Sequence, residues 1–175
     1  MCGRISLYTP PSRLARFFEA KAAAGLGGED LEHEPELEPS WNVAPSRDVL
    51  MVVARREHPA EEGPPTFQRL LVPARWGLVP FWAKDPTVGN RMINARAETV
   101  ATQPAFRRAY ERRRCLVAAD GFYEWKPPPG GRPRGSRRVP SQPWYYRRHD
   151  GQPLALAGLW ETWRPEGRPD DVLRT

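Results

Sequence analysis

The chain has 175 residues, 39% of them hydrophobic, with 7 Trp, 21 Pro, 14 Gly and a net charge of +6. That length suits one domain and excludes a two-domain enzyme, while the Pro and Gly content argues against a bundle of long helices. No run approaches the ~20 apolar residues of a membrane span, the first residues hold no signal-peptide core, and two cysteines cannot build a disulfide framework or a C-x-x-C zinc site. A soluble, cytoplasmic protein without metal or cofactor is expected.

In chain order, Ser12 can cap a helix with Leu14, Phe17 and Phe18 at helical spacing and Gly25 as its stop. Residues 25–40, acidic and broken by Gly and Pro, read as a surface loop. VLMVVA (49–54) and FQRLLVPARWGL (67–78) are β-type runs separated by a Pro/Glu-rich turn, the pattern of an antiparallel pair; Trp76, in an alternating stretch, is assigned to the core. A second helix is predicted from Thr102, with Pro104 in its first turn and Phe106, Ala109 and Tyr110 on one face. CLVAAD (115–120), GFYEWK (121–126), PWYYRR (143–148) and LALAGLW (154–160) read as strands, and Val172-Leu173 as the start of another. Residues 127–140, rich in Pro, Gly and Arg, are expected to form a flexible basic loop. The elements predict an α+β fold: a single domain over residues 1–175 with a curved, mostly antiparallel, barrel-like sheet and a few short helices.

Charge is uneven: residues 1–74 carry a net −3 and residues 75–175 a net +9, and 24 of the 27 cations are Arg. Arg forks suit phosphate and base stacking, so a polyanionic partner and a merely solvated basic surface both fit the charge alone. Cys2 follows the initiator. If Met1 is removed, the α-amine (reference pKa ~7.7 to 8.0) and the thiol (~8.5) sit on adjacent carbons, and both reach nucleophilic form near neutral pH. Such a 1,2-aminothiol captures aldehydes: the amine forms an imine and the thiol closes a five-membered thiazolidine. From Met-Cys alone, retention of Met1 or a buried N-terminal strand residue is the favoured reading.

Four further constellations accompany MCGR: SWNVAPS (40–46), ARWGLVPFWAKD (74–85), MINARAET (92–99) and ADGFYEW (119–125), with ALAGLWE (155–161) behind them. Their order resembles the SOS-response-associated peptidase (SRAP) family, whose members sense abasic sites in single-stranded DNA. The resemblance implies that Cys2 attacks the ring-opened aldehyde of an abasic deoxyribose to leave a thiazolidine crosslink. It places the family's catalytic Asn on Asn94 and its Glu on Glu124. Asn94 would orient without titrating, and Glu124 would move protons as the ring opens and the imine forms. It also implies DNA contacts from Arg4 and Arg96 to phosphates, from Trp82 to the interrupted base stack, and from Asn42 and Pro45 beside Cys2. Arg107, Arg108 and Arg112 to Arg114 are assigned to a solvated helix face adding general attraction.

Two departures accompany the match. Family members continue into a segment with a further catalytic His, before which this chain stops; His33, His58 and His149 lie in other contexts. A DNA-facing Arg of some members is replaced near Pro104. The implied partner is single-stranded DNA containing abasic sites, bound by a monomer at the nucleoid. Two other functions fit the residues: a peptidase or amidohydrolase with an N-terminal cysteine nucleophile, Asn94 serving its oxyanion, or a non-catalytic single-strand-binding module.

Overall fold

A computed structural model describes residues 3–26, 33–57, 65–126, 141–168 and 170–175. Cys2, His58, much of the acidic stretch and the predicted basic loop 127–140 lie outside the described residues. The chain runs β1 (Ile5–Leu7), α1 (Pro11–Phe17), β2 (Lys21–Ala22), β3 (Ser40–Val43), β4 (Asp48–Arg56) and β5 (Phe67–Arg75). A 3₁₀ turn (Pro86–Arg91) and α2 (Arg107–Arg112) precede β6 (Arg114–Ala119), β7 (Gly121–Lys126), β8 (Gln142–Tyr146), β9 (Leu154–Leu159), β10 (Thr162–Trp163) and β11 (Leu173–Arg174).

β4 sits inside a five-stranded sheet of order β2-β5-β4-β6-β9, and its run Val49 to Val53 is buried throughout. A strand covered on both faces needs no polar alternation, which is why VLMVVA is continuously apolar. Leu50 and Val52 pack with Leu71, with Ile5 and Leu7 of β1 and with Leu14 and Phe18 of α1. Met51 and Val53 face the other way, toward Leu70, Val72 and Cys115. The predicted pairing of the two long strands is found, in register from Asp48↔Arg75 to Arg56↔Phe67. β3, β1, β7 and β8 form a second, antiparallel sheet, and β10 with β11 a ribbon. The fold is α+β and mostly antiparallel; among the described residues the strands form separate sheets rather than one closed barrel.

Both helices are shorter than predicted. α1 starts at Pro11 behind Pro10, with no side-chain cap, so Ser12 is not its cap. It stops at Phe17 because Glu19 turns into the left-handed region (φ 51°) and sends the chain into β2, where Lys21 and Ala22 pair in parallel with Leu70 and Leu71. Gly25 lies beyond that strand. α2 starts at Arg107, after successive turns from Thr99 to Phe106. Pro104 disfavours helical backbone at Gln103 and delays the start. Phe106 and Ala109 are buried against Leu78, whereas Tyr110 is exposed. At the far end Glu161 and Thr175 exchange backbone hydrogen bonds of 2.8 and 3.0 Å, continuing the β10–β11 ribbon expected near Leu173.

Candidate functional site

β1 lies between β3 and β7, and Arg4, just before it, touches both neighbouring strands. Ile5 is level with Val43 on one side and Phe122 on the other. One step toward the N-terminus, the Tyr123 N–H donates to the Arg4 carbonyl at 3.0 Å, beside Glu124 in sequence. The Arg4 guanidinium donates to Asn42 Oδ1 at 2.8 Å across to β3. Two sequence-predicted residues thus touch, and a third shares their end of the sheet.

Pro45 and Asn94 come in on loops knitted together by Trp76. The Trp76 indole N–H donates to the Ile93 carbonyl at 3.0 Å. The Trp76 backbone exchanges bonds with Ser46 and Arg47, the residues that follow Pro45. Ser46, at φ 69°, adds its hydroxyl to Asn90 Oδ1 at 2.6 Å. Gly77 (φ 125°) and Gly89 let two backbones meet so closely that a methyl on either would fall 2.5 to 2.6 Å from the other's carbonyl oxygen. The Leu78 N–H then reaches the Met92 carbonyl at 3.1 Å. Trp76 packs against the core, as its sequence context predicts.

Arg96 follows Asn94 on this loop; both are exposed. Trp82 stands on a different turn, half exposed, where Trp163 Nε1–H holds the Ala83 carbonyl at 2.6 Å. Next to it the Arg108 guanidinium lies 4.1 Å from the centre of the Phe81 ring. Arg108 is therefore engaged by an aromatic rather than simply solvated.

Glu124 lines a cleft of about 390 Å³ with Trp125, Lys126, Trp144 and Tyr146. The neighbouring carboxylate of its motif, Asp120, is buried and accepts from the Tyr8 N–H (2.6 Å), the Thr9 N–H (2.9 Å) and the Thr9 hydroxyl. It therefore fixes the turn after β1. Tyr8 stacks on Trp41 at 5.3 Å, and the Tyr123 hydroxyl donates to the Trp41 carbonyl at 2.9 Å. Burial first, then Tyr145 and Asp120 nearby, push the Tyr8 phenol above its ordinary value. Sequence reading missed these rings as a group. The available signal was Trp41 beside polar neighbours and the adjacency of Trp and Tyr to Arg in PWYYRR.

The other cysteine, Cys115, is buried, and burial pushes its thiol up to about 12. Among the described residues no group of three or more His, Cys, Asp or Glu is placed to hold a metal, and no helix is long and apolar enough to cross a membrane.

Comparison with known proteins fits this arrangement. The chain is 35% identical over 170 residues to the abasic site processing protein YoqW of Bacillus subtilis, covering 97% of this chain and 64% of that protein. It is 32% identical over 172 residues to abasic site processing protein YedK of Escherichia coli, covering 98% and 64%. With abasic site processing protein HMCES of Mus musculus it shares 33% over 131 residues, 72% of this chain and 36% of that one. The chain thus spans a little under two thirds of the bacterial relatives. A crystal structure of a Bacteroides thetaiotaomicron protein superposes with a TM-score of 0.71 at 18% identity, covering 99% of this chain and 66% of that one. A phage-related protein of Bordetella bronchiseptica gives 0.54 at 22%, covering 99% and 67%. Both show the fold. The model of the SOS response associated peptidase (SRAP) family matches residues 1–175, and the chain belongs to that family.

Proposed function

We propose that the protein processes abasic sites in single-stranded DNA by forming a covalent bond through Cys2. The observation that supports this reading is the bond from the Tyr123 N–H to the Arg4 carbonyl, which brings the residues just before β1 alongside the Glu124 end of β7. With Met1 removed, the Cys2 amine adds to C1 of the ring-opened sugar, and loss of one water leaves an imine. The thiol then adds across the C=N bond, sulfur to carbon and proton to nitrogen, closing the thiazolidine. The net change is aldehyde plus aminothiol to thiazolidine plus water, with no oxidant or cofactor. Glu124 takes and returns the protons, and Asn94 orients the sugar. Arg4 and Arg96 meet phosphates, Asn42 and Pro45 border the reacting end, and Trp82 stacks where the missing base interrupts the column.

The test mixes purified protein with single-stranded DNA containing one abasic site, and with intact DNA, and follows a denaturing gel and intact mass. The expected product is one adduct per lesion, lighter by one water than its parts. Cys2→Ser should give only a hydrolysable imine, because its hydroxyl does not close a durable ring. A Cys2→Ser adduct as stable as the parent's refutes the thiol step. Turnover of a peptide substrate without any adduct would instead establish the N-terminal-cysteine hydrolase reading.

A further inference from the structure

The β7–β8 hairpin displays more aromatic surface than a protein leaves exposed without use. All five residues of β8 are exposed, Trp144 at 50% and Tyr146 at 46%. Pairing sets Glu124 opposite Trp144 and Phe122 opposite Tyr146. Alternation along strands therefore puts Phe122, Glu124, Lys126, Trp144 and Tyr146 on one face. Phe122 and Tyr146 stack at 5.2 Å with 13° between planes, and the Lys126 ammonium stands 5.7 Å above the Trp144 ring. This face opens the cleft that Glu124 lines.

We propose that this face is a stacking platform for the bases of the single strand on one side of the abasic site. The inference rests on the single-strand reading above and names where that strand runs. Three features select the occupant. Trp144 and Tyr146, two residues apart on one strand, are separated by about 6.7 Å, twice the ~3.4 Å step of stacked bases. Lys126 sets positive charge for a phosphate beside the rings, while Arg148 is neutralised by Asp150 at 2.5 Å. The platform is continuous with Glu124, so a strand whose lesion lies at that carboxylate meets Trp144 next. A protein strand adding to the β8 edge is disfavoured, because Pro143 removes a backbone donor from that edge.

The experiment uses the whole chain with Trp144→Ala, Tyr146→Ala, the double variant and the conservative Trp144→Phe. Affinity for an unmodified oligothymidine of about 10 nucleotides is read by anisotropy. Adduct formation is read separately with 2-deoxyribose 5-phosphate, an aldehyde sugar that carries no base to stack. Each alanine should weaken oligothymidine binding by about tenfold, Trp144→Phe should keep most of it, and the loss should exceed any change in the rate with the sugar phosphate. Equal affinity in the double variant overturns the platform, and so does equal loss with Trp144→Phe, which marks a packing role. Should the alanine variants fail to fold, Lys126→Ala should lower the slope of log affinity against log salt by about 0.7, one phosphate contact, and an unchanged slope counts against it. Wild-type protein that binds through Trp144 but traps no aldehyde would sink the Cys2 reading and leave the platform standing. An adduct with unaltered binding in the double variant would do the reverse.

Discussion

Asp120 and Glu124 stand four residues apart in one motif, and their surroundings give them different work. Asp120 spends its oxygens on three donors from Tyr8 and Thr9 and has no face left for a substrate. Glu124 is partly exposed in a cleft. Replacing Asp120 by Ala strips charged hydrogen bonds from a buried turn, and thermal unfolding should report a loss of about 2–4 kcal/mol. Glu124→Gln should leave that unfolding within about 0.5 kcal/mol of the parent. It should slow adduct formation by about 10²–10⁴ while affinity for intact strands stays put. A destabilised Glu124→Gln with parallel losses in rate and binding would make the carboxylate structural. The sequence presented ADGFYEW as one constellation and could not divide these roles, because the division depends on which amides β1 brings to Asp120. At about 12, the Cys115 thiol holds negligible thiolate at neutral pH and does not compete with the proposed Cys2 nucleophile.

At the scale of elements, hydrophobic pattern was legible and long-range pairing was not. β4 and β5 could be read because their covered middles, Val49 to Val53 and Leu70 to Val72, are apolar without a break. β2 could not: Lys21 and Ala22 carry no strand signal, and they are extended only because Leu70 and Leu71 supply partners. The same holds for the site loop after β5. RWGL reads as strand, yet Gly77 breaks away at φ 125° so that its backbone can meet Gly89. A methyl on Gly89 would fall 2.6 Å from a carbonyl oxygen and 2.9 Å from a Val79 methyl, neither able to yield cheaply. Gly89→Ala should therefore lower the urea midpoint by the equivalent of about 2–3 kcal/mol. Hydrogen exchange should quicken at Met92, and an unchanged midpoint would mean that the two turns are not tightly apposed.

For the molecule as a whole, the lopsided charge was plain in the sequence, but its arrangement needed the fold. Arg4 belongs to the acidic part of the chain, yet β1 inserts it beside β7, from the basic part. Three proposed contacts, Arg4, Arg96 and Lys126, imply that log affinity for an intact strand falls with log salt at a slope near −2, about −0.7 for each. Titrations at several salt concentrations measure it, and a slope near zero would remove phosphate contacts from the account. Family membership was legible through the order of five short motifs, whereas the exposure of the β8 rings was not, since a Trp-Tyr-Tyr run suits a covered strand as well as an open one. β1 is only three residues long, too short to hold its own alignment, and the Asp120 grip on the following turn does so for it. That carboxylate works as a stop on a sliding bolt. Were the strand to slip by one position, Ile5 and Leu7 would turn outward, and the amino end would arrive a residue out of step with Glu124 and on the opposite side of the sheet.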